Sequence, residues 1–465
     1  MKAVFVGGGS LRLLGILRGA MKEKKVFTDG AIHLHDLNVS RAEAMGRMLM
    51  KTPECKGLNC KITWGSNLEK NLGGADMVGV ILMAGSPMSY ELGNDVSLRN
   101  GFVPSDNVSP NGAFLALKGA PILLDVARKM EKHCPKALLV DFANPVAVHS
   151  GMINNHTKIS AVGVCQGYTN HMWDLSRILG RDEEREDFDV DAAGINHLSF
   201  IVKGTAAGKD IFKTIDKAIS RPGWKAPKLQ PFWDPASKRN ILNSIYNIVR
   251  FYRELGVLIF STEGDGMLHL DYESDLDKSL KRFVPRSRSQ IKKSLDDNFK
   301  HRKKADEEFQ KWLFQDTDKQ FWDTCWKKNF VFKRQDNDIF VKIMKALAGV
   351  EKFKIAVSRP NNGAVEGFKD RTVLEYSQII DRGKIVPAGK YSVPDAVYGL
   401  IASLATHQTM LGDAIATDDP QMLARALLAY PVRQNSQAAR NLFKDLAAIN
   451  RNEIQPGLRS VADFL

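Results

Sequence analysis

The fold of this 465-residue chain is decided by its opening stretch, Lys2-Ala-Val-Phe-Val-Gly-Gly-Gly-Ser10. Residues 2–6 are short, apolar and β-branched and are ended by glycines, which is typical of a buried parallel strand. A helical spacing of apolar residues follows, from Leu11 to about Lys24. A strand, a glycine turn and a helix start together predict an anion site, because backbone N–H groups and the positive end of the helix dipole face one point.

The glycine turn matches most of the dinucleotide-binding pattern G-x-G-x-x-G. Gly7 and Gly9 supply its first two glycines, while Arg12 takes the third position and leaves the approach of a pyrophosphate intact. The second apolar run ends at Asp36, whose carboxylate can accept from ribose hydroxyls and disfavours a 2′-phosphate. The sequence therefore predicts NAD rather than NADP, bound by Gly7, Gly9, Ser10 and Asp36.

Alternating strands and helices continue to about residue 164 and predict a doubly wound parallel sheet of the Rossmann type. Within this region, residues 85–110 are rich in Gly, Ser, Asn and Asp, and we interpret them as a long functional loop. Beyond about residue 205 the pattern becomes mainly helical. We therefore predict an NAD-binding Rossmann domain over 1–204 and an α+β, mainly helical domain over 205–465 for substrate binding, catalysis and oligomerisation.

Three polar residues stand at the ends of apolar runs in the first half. Asn144 precedes Pro145 at the end of a predicted strand, where a ligand would meet the sheet, although a plain turn residue is the alternative. Cys165 and His197 also follow apolar runs, and a thiolate with an imidazole suits a divalent transition ion. By spacing alone, a buried free cysteine and a hydrogen-bonded core histidine remain the alternative.

Composition narrows the partners. The formal net charge of +13 is compatible with nucleic acid, an anionic membrane surface or an acidic small substrate. The basic run at 281–304 lacks aromatic stacking platforms and a zinc or helix-turn-helix signature, so we expect no nucleic-acid partner. We interpret the run as the solvated surface of a helix. Its residues Arg282 and Arg286 could also face an acidic ligand. The aromatic stretch at 312–332 is interpreted as core or subunit interface.

The five cysteines form no disulfide pattern, and we expect reduced thiols. The opening strand leaves no room for a cleaved leader, and no stretch is apolar over a membrane's width, so we expect a cytoplasmic protein without a membrane partner.

Several motifs together resemble the NAD- and metal-dependent glycoside hydrolases of family 4, a family similar in fold to lactate and malate dehydrogenases. They are FVGGGS with Asp36, LALKGAPILLDVARKMEKHCPKALLVDFANPVAV, GVC at 163–165, GINHL at 194–198, GDGMLH at 264–269, NNGAVEGF at 361–368 and AAINRNEIQP at 447–456. The related NAD-dependent sulfoquinovosidases are included in the comparison.

The resemblance implies that Cys165 and His197 bind a divalent ion, usually manganese, and that Asn144 lies near the nicotinamide and the sugar hydroxyls. It also implies that Asp265 matches a position used as a base in some members. Family 4 is an exception to the two-carboxylate rule of glycosidases. The implied route is oxidation at sugar C3, deprotonation at C2, elimination of the aglycone, addition of water and return of the hydride, so that NAD is recycled. A homodimer or homotetramer is implied as well.

Departures from the family pattern concern the acid and the substrate. No leaving-group acid is evident after Cys165, and Tyr168 or His171 are stand-ins. Lys118 occupies a position where arginine is common, and the family's arginine-containing loop after the fourth strand is replaced by residues 82–86, which weighs against 6-phosphoglycosides. Candidate substrate-binding residues are Asn144, Gln166, Asn196, His269, Lys118, Arg282 and Arg286.

The net charge and the altered loops favour an α-glycoside with an anionic C6 group, with a sulfoquinovoside as the first candidate. Neutral α-galactosides or α-glucosides, glucuronides and 6-phosphoglycosides are the alternatives. Two other classes stay open: an NAD-dependent hydroxyacid dehydrogenase, and a catalytically inactive NAD-binding module.

Overall fold

A computed structural model describes residues 1–181, 187–226, 233–234, 239–240, 244–260, 264–271, 285–313, 319–328, 330–431 and 435–465. Its strands are β1 (Lys2–Val6), β2 (Ala31–His35), β3 (Lys61–Gly65), β4 (Met77–Val80), β5 (Leu138–Asp141), β6 (Ala161–Gly163), β7 (Phe188–Ile195), β8 (Leu198–Ala206), β9 (Lys209–Asp210), β10 (Trp233–Asp234), β11 (Arg239–Asn240), β12 (Leu258–Ile259), β13 (Phe353–Pro360), β14 (Val373–Asp381) and β15 (Lys384–Pro387).

The helices lie between these strands and after the last of them. They are α1 (Arg12–Lys22), α2 (Lys24–Phe27), α3 (Val39–Lys51), α4 (Glu69–Leu72), α5 (Pro87–Arg99), α6 (Pro110–His133), α7 (Val146–His156), α8 (Gly167–Ile178), α9 (Ile211–Ile219), α10 (Ser244–Leu255), α11 (Gly264–Leu268), α12 (Arg288–Leu313), α13 (Lys319–Lys328), α14 (Ile339–Leu347), α15 (Asp395–Thr417), α16 (Pro420–Leu428) and α17 (Ser436–Asn450).

The parallel half of the sheet has the order β3-β2-β1-β4-β5-β6. This is the Rossmann order, in which the connection reverses between β1 and β4 and opens a crevice at the carboxyl ends of the strands. The central strands β4 and β5 are buried along their whole length, because helices cover both faces of the sheet. The predicted doubly wound fold is confirmed.

The sheet continues beyond β6 with antiparallel strands in the order β13-β14-β7-β8-β12. β13 joins the two halves, since Ser358 pairs with Gly163 of β6. The boundary predicted after residue 204 falls inside β8, and the division into two domains stays a prediction. The second half is α+β and mainly helical, as predicted, and its strands β13 and β14 could not be placed from the sequence because their partners are remote.

The long loop predicted at 85–110 is wrong in its first part, which forms α5. Ser86 caps this helix by accepting a hydrogen bond from the Met88 N–H at 3.0 Å, and Pro87 occupies its first turn. A serine cap followed by proline is a helix-start signal, and the polar composition of the segment obscured it.

The aromatic stretch contributes to the core. Trp322 and Phe332 are 2% and 0% exposed, and they pack against Phe309, Trp312 and Phe321 beside the outer face of α1. None of the helices in the described part of the chain has the length and apolar character needed to cross a lipid bilayer.

Candidate active site

The glycine turn after β1 is narrow because the backbone of Ile81, directly after β4, lies against it. Gly7 has φ +90°, and a Cβ built on it would lie 2.0 Å from the Ile81 carbonyl oxygen, so a larger residue would not fit. The N–H groups of Gly7 and Gly8 donate to the His35 carbonyl oxygen at 3.0 and 2.8 Å. The turn is therefore fixed against the carboxyl ends of both β2 and β4.

Asp36 lies immediately beyond β2, as the sequence predicts. One carboxylate oxygen accepts from the Gly9 N–H at 2.8 Å, and the other accepts from the Asn38 N–H at 2.8 Å. These two bonds place the carboxylate next to the glycine turn, where the ribose of a dinucleotide would lie in a Rossmann fold. Its role in NAD binding stays a prediction.

Arg12 links the glycine turn to the segment that follows β6. Its guanidinium lies 4.1 Å from the centre of the Phe142 ring and donates to Gln166 Oε1 at 3.1 Å and Asp338 Oδ2 at 2.8 Å. The third position of the glycine pattern is thus occupied by a side chain that spans the edge of the sheet. Gln166, predicted to bind substrate, is held from this side and adjoins Cys165.

The predicted metal ligands, 32 residues apart in the chain, meet at this edge. Cys165 follows β6, and His197 lies in the tight turn between β7 and β8 with φ +68°. Their Sγ and Nε2 atoms are 3.7 Å apart. Two ligands of one tetrahedral zinc ion, at bond lengths of about 2.3 and 2.1 Å, would lie about 3.6 Å apart, so the separation of this pair permits a shared divalent ion as well as a direct hydrogen bond.

Backbone groups of two helices lie close to both residues. The Gly167 N–H, at the start of α8, donates to the Cys165 sulfur at 3.3 Å. On the other side α11 approaches the histidine turn so closely that a Cβ on Gly266 would lie 1.6 Å from the His197 carbonyl oxygen. Across the described residues, no group of three or more His, Cys, Asp or Glu side chains is placed to hold a metal.

A chain of amide side chains connects the two halves of the site. Asn144 Nδ2 donates to Asp106 Oδ2 at 2.9 Å, and Asn196 Nδ2 donates to Glu375 Oε2 at 2.7 Å. Between them, Asn107 Nδ2 donates to the Oδ1 atoms of Asn144 and Asn196 at 3.2 and 2.6 Å. The predicted residues Asn144 and Asn196 therefore belong to one network, which the sequence did not reveal.

Glu375 is the inner end of this network and is 5% exposed. It accepts from Asn196 and from Ser199 Oγ, the latter at 2.9 Å. Burial raises the pKa of the Glu375 carboxyl, while the two hydrogen bonds act in the opposite direction. Its strand, β14, was not predicted, and no local pattern marks this residue as part of the site.

A buried pair under Asn144 holds the turn that follows β5. Asp141 accepts from the Ala143 N–H at 2.9 Å, and His149 Nδ1 lies 3.0 Å from the other Asp141 oxygen and 2.9 Å from the Ala143 carbonyl oxygen. Burial raises the pKa of the Asp141 carboxyl, and the charge of His149 opposes this. The pair fixes the backbone that presents Asn144.

Other predicted substrate ligands have protein partners. Lys118 is 6% exposed and donates to Ser89 Oγ and Asn450 Oδ1, both at 3.0 Å, with Glu453 at 3.4 Å. Burial lowers the pKa of Lys118, although Glu453 opposes this. His269 Nε2 lies 2.6 Å from the Tyr430 hydroxyl oxygen, and Arg286 forms an ion pair with Glu91.

One of the residues predicted as catalytic acid or base, His171, is poorly placed for proton transfer. The side chains of the other two lie outside the described part of the structure. His171 is fully buried against Phe260, with ring centres 4.9 Å apart, and burial lowers its pKa to about 3. It is therefore neutral and enclosed, which does not suit proton donation to a leaving group. The side chains of Tyr168 and Asp265 and the whole of Arg282 lie outside the described part of the structure, and their roles stay predictions.

Rossmann order, a glycine turn and a thiol–imidazole pair above the same sheet edge define an NAD-binding enzyme fold with a candidate metal centre. Residues 2–181 match the model of the family 4 glycosyl hydrolases, and residues 192–432 match the model of their C-terminal domain. The chain therefore belongs to the family 4 glycosyl hydrolases, as the sequence motifs predict.

Relatives are similar over nearly the full length. An α-galacturonidase of Thermoanaerobacter italicus is 25% identical, with 96% of this chain and 95% of the relative covered. The structure of a 6-phospho-β-glucosidase from Thermotoga maritima, solved with manganese, NAD⁺ and glucose-6-phosphate, has a TM-score of 0.73 at 16% identity and covers 98% of this chain and 100% of that one. A malate dehydrogenase of Plasmodium falciparum has a TM-score of 0.50 at 11% identity, covering 90% of this chain and 99% of that one, which supports the predicted fold relationship.

Proposed function

We propose that this protein hydrolyses an α-glycoside with NAD as a recycled cofactor and one divalent ion, most simply Mn²⁺. The observation that carries the proposal is the 3.7 Å separation of Cys165 Sγ and His197 Nε2 at the carboxyl edge of a Rossmann sheet. Bound NAD would take and return a hydride at sugar C3, and the ion would polarise the oxygens beside the acidic C2 position.

The residues of the chain would bind and orient in this scheme. Gly7, Gly9, Ser10 and Asp36 would hold the adenosine and pyrophosphate parts of NAD. Asn144 and Asn196, fixed by carboxylates at both ends of the amide chain, would orient the sugar hydroxyls against Cys165 and His197. Asp265 and Tyr168 remain our candidates for base and leaving-group acid.

For the substrate we propose a hexoside with an anionic C6 group. The similarity to an α-galacturonidase supports a carboxylate at C6, so uronides now stand ahead of the sulfoquinovosides. Lys118 stays the candidate cation, and it would have to exchange one of its contacts with Ser89, Asn450 or Glu453 for the anionic group. Neutral α-galactosides and 6-phosphoglycosides remain the comparison substrates.

The experiment is a panel of aryl α- and β-glycosides carrying galacturonic, glucuronic, neutral, 6-phospho or 6-sulfo sugars, assayed with NAD, Mn²⁺ and reductant. We expect release of the aryl group from an α-uronide, and none when either NAD or the metal is omitted. Turnover that persists without NAD would contradict the mechanism, and a preference for neutral glycosides would contradict the proposed substrate.

The homodimer or homotetramer and the cytoplasmic location implied earlier stay predictions. Size-exclusion chromatography with light scattering would measure the first, and fractionation of the source cell the second.

A further inference from the structure

Asn107 lies at the centre of the amide chain and uses both of its N–H groups within the protein. One donates to Asn144 Oδ1 and the other to Asn196 Oδ1. The side-chain oxygen of Asn107, in a residue only 3% exposed, has no hydrogen-bond partner among the described residues. A buried acceptor without a donor is costly and uncommon, so we expect a ligand or an ordered water to supply the donor.

The orientation of the Asn107 amide follows from its neighbours. Asp106 and Glu375 are carboxylates that accept from Asn144 Nδ2 and Asn196 Nδ2, so both of these amides must turn their oxygens towards Asn107. Asn107 can satisfy two oxygens only with its NH₂ group. Its own oxygen therefore receives no hydrogen bond from either amide.

We propose that Asn107 Oδ1 accepts a hydrogen bond from a hydroxyl group of the bound sugar. This inference rests on the proposed function, because it assigns a substrate contact within that site. Asn196 adjoins His197 in sequence, and Asn144 lies on the turn after β5, so Asn107 contacts both sides of the candidate active site. A sugar hydroxyl donates one hydrogen bond and can serve an isolated buried oxygen.

The test is a double-mutant cycle in which one change removes the Asn107 side chain and the other removes a hydroxyl group from the sugar. Galacturonic acid and its 2-, 3- and 4-deoxy analogues are bound to the protein with NAD and Mn²⁺, and each Kd is measured by calorimetry. For the wild type we expect one analogue to bind about tenfold more weakly than the parent sugar. In Asn107→Ala the parent should weaken by a similar factor, and the penalty for that one analogue should disappear.

A control variant tests whether the loss of the deoxy penalty is specific to Asn107. Asn111→Ala removes another buried amide of the same region, which donates to the Tyr90 carbonyl oxygen and Asn94 Oδ1, and it should retain the deoxy penalty. Equal deoxy penalties in wild type and Asn107→Ala, or loss of the penalty in Asn111→Ala, would overturn the proposal.

The carboxamide of the NAD nicotinamide also carries N–H donors, so the Kd of NAD is measured separately in the absence of sugar. We expect the Kd of NAD to change less than about twofold in Asn107→Ala, and a weakening of about tenfold would assign the donor to NAD and overturn the sugar contact. Sugar binding requires no turnover. Suppose that one deoxy sugar binds more weakly to the wild type but not to Asn107→Ala, while no glycoside is hydrolysed. This result would reject the proposed function and still support the contact between Asn107 and the sugar.

Discussion

At the scale of single residues, the thiol of Cys165 and the imidazole of His197 are the groups on which the metal hypothesis depends. Cys165→Ser and His197→Ala should each lower turnover of the best glycoside at least about 100-fold and weaken Mn²⁺ binding, because a two-ligand protein site loses half of its donors. The Kd of NAD should stay nearly unchanged, since neither side chain adjoins the glycine turn.

The matched control for the cysteine is Cys60→Ser, which changes a free thiol on the loop before β3. Mn²⁺ titration followed by electron paramagnetic resonance measures the metal directly. Wild-type affinity in either ligand variant would remove the metal hypothesis.

His171 gives a prediction about stability and pH. Its pKa is lowered to about 3 from an ordinary value of 6.5, because burial disfavours the charged ring. Below about pH 6.5 the histidine therefore binds a proton in the unfolded chain but not in the folded chain. As a result, the free energy of unfolding decreases as the pH falls from 6.5 towards 3. From pH 7 to 5 this histidine alone should cost about 2 kcal/mol.

The variant His171→Leu has similar volume and removes two ring nitrogens that have no partner among the described residues. Urea unfolding at pH 7 and pH 5 should show a smaller loss in the variant than in the wild type, by that amount. Retained turnover in the variant would also exclude His171 as the leaving-group acid.

At the scale of elements, Glu453 connects the segment after α17 to α5 and α6. Its carboxylate accepts from the Ser86 N–H at 3.0 Å and from Ser89 Oγ at 2.8 Å, and it faces the Lys118 ammonium. Glu453→Gln should lower the free energy of unfolding by about 2 kcal/mol, because Lys118 stays buried with its charge uncompensated.

Combining Glu453→Gln with Lys118→Met should cost less than the sum of the two single changes, as measured by urea unfolding, because the second change removes the stranded charge. Strict additivity would show that the two side chains act independently.

If Lys118 binds the anionic C6 group, Lys118→Met should raise KM for the uronide more than for the neutral glycoside.

The same scale shows what could be predicted from the sequence. β1, the glycine turn, Asp36 and the positions of Cys165 and His197 follow from patterns within a few residues, since strand ends and turns are local. Helix α5 was missed because its polar composition outweighed the Ser86-Pro87 start signal. Asn107 and Glu375 could not be found, because their roles depend on β14 pairing with β7 and on contacts between residues 37 to 179 positions apart.

At the scale of the whole molecule, the family assignment and the Rossmann sheet predict a redox cofactor in a reaction without net redox change. Hydrolysis should therefore release one aglycone per sugar with no accumulation of NADH at 340 nm beyond one equivalent per active site. A hydroxyacid dehydrogenase on this fold would instead form NADH in step with product.

The fate of the C2 hydrogen gives an independent check of the same route. Substrate carrying deuterium at C2 should yield a sugar that has exchanged it for solvent hydrogen, which mass spectrometry of the product measures. Complete retention of deuterium would reject deprotonation at C2 and the elimination step with it.

The continuous sheet has a consequence for dissecting this enzyme. The thiol and the imidazole lie on opposite sides of the connection between the two regions matched by the family models, and β6 meets β13 across that divide. Cleaving the backbone there would leave each fragment with a bare strand edge prone to self-association. Co-produced fragments would have to rejoin through this seam before a complete catalytic centre exists, so recovered activity would serve as a reporter of their reassembly.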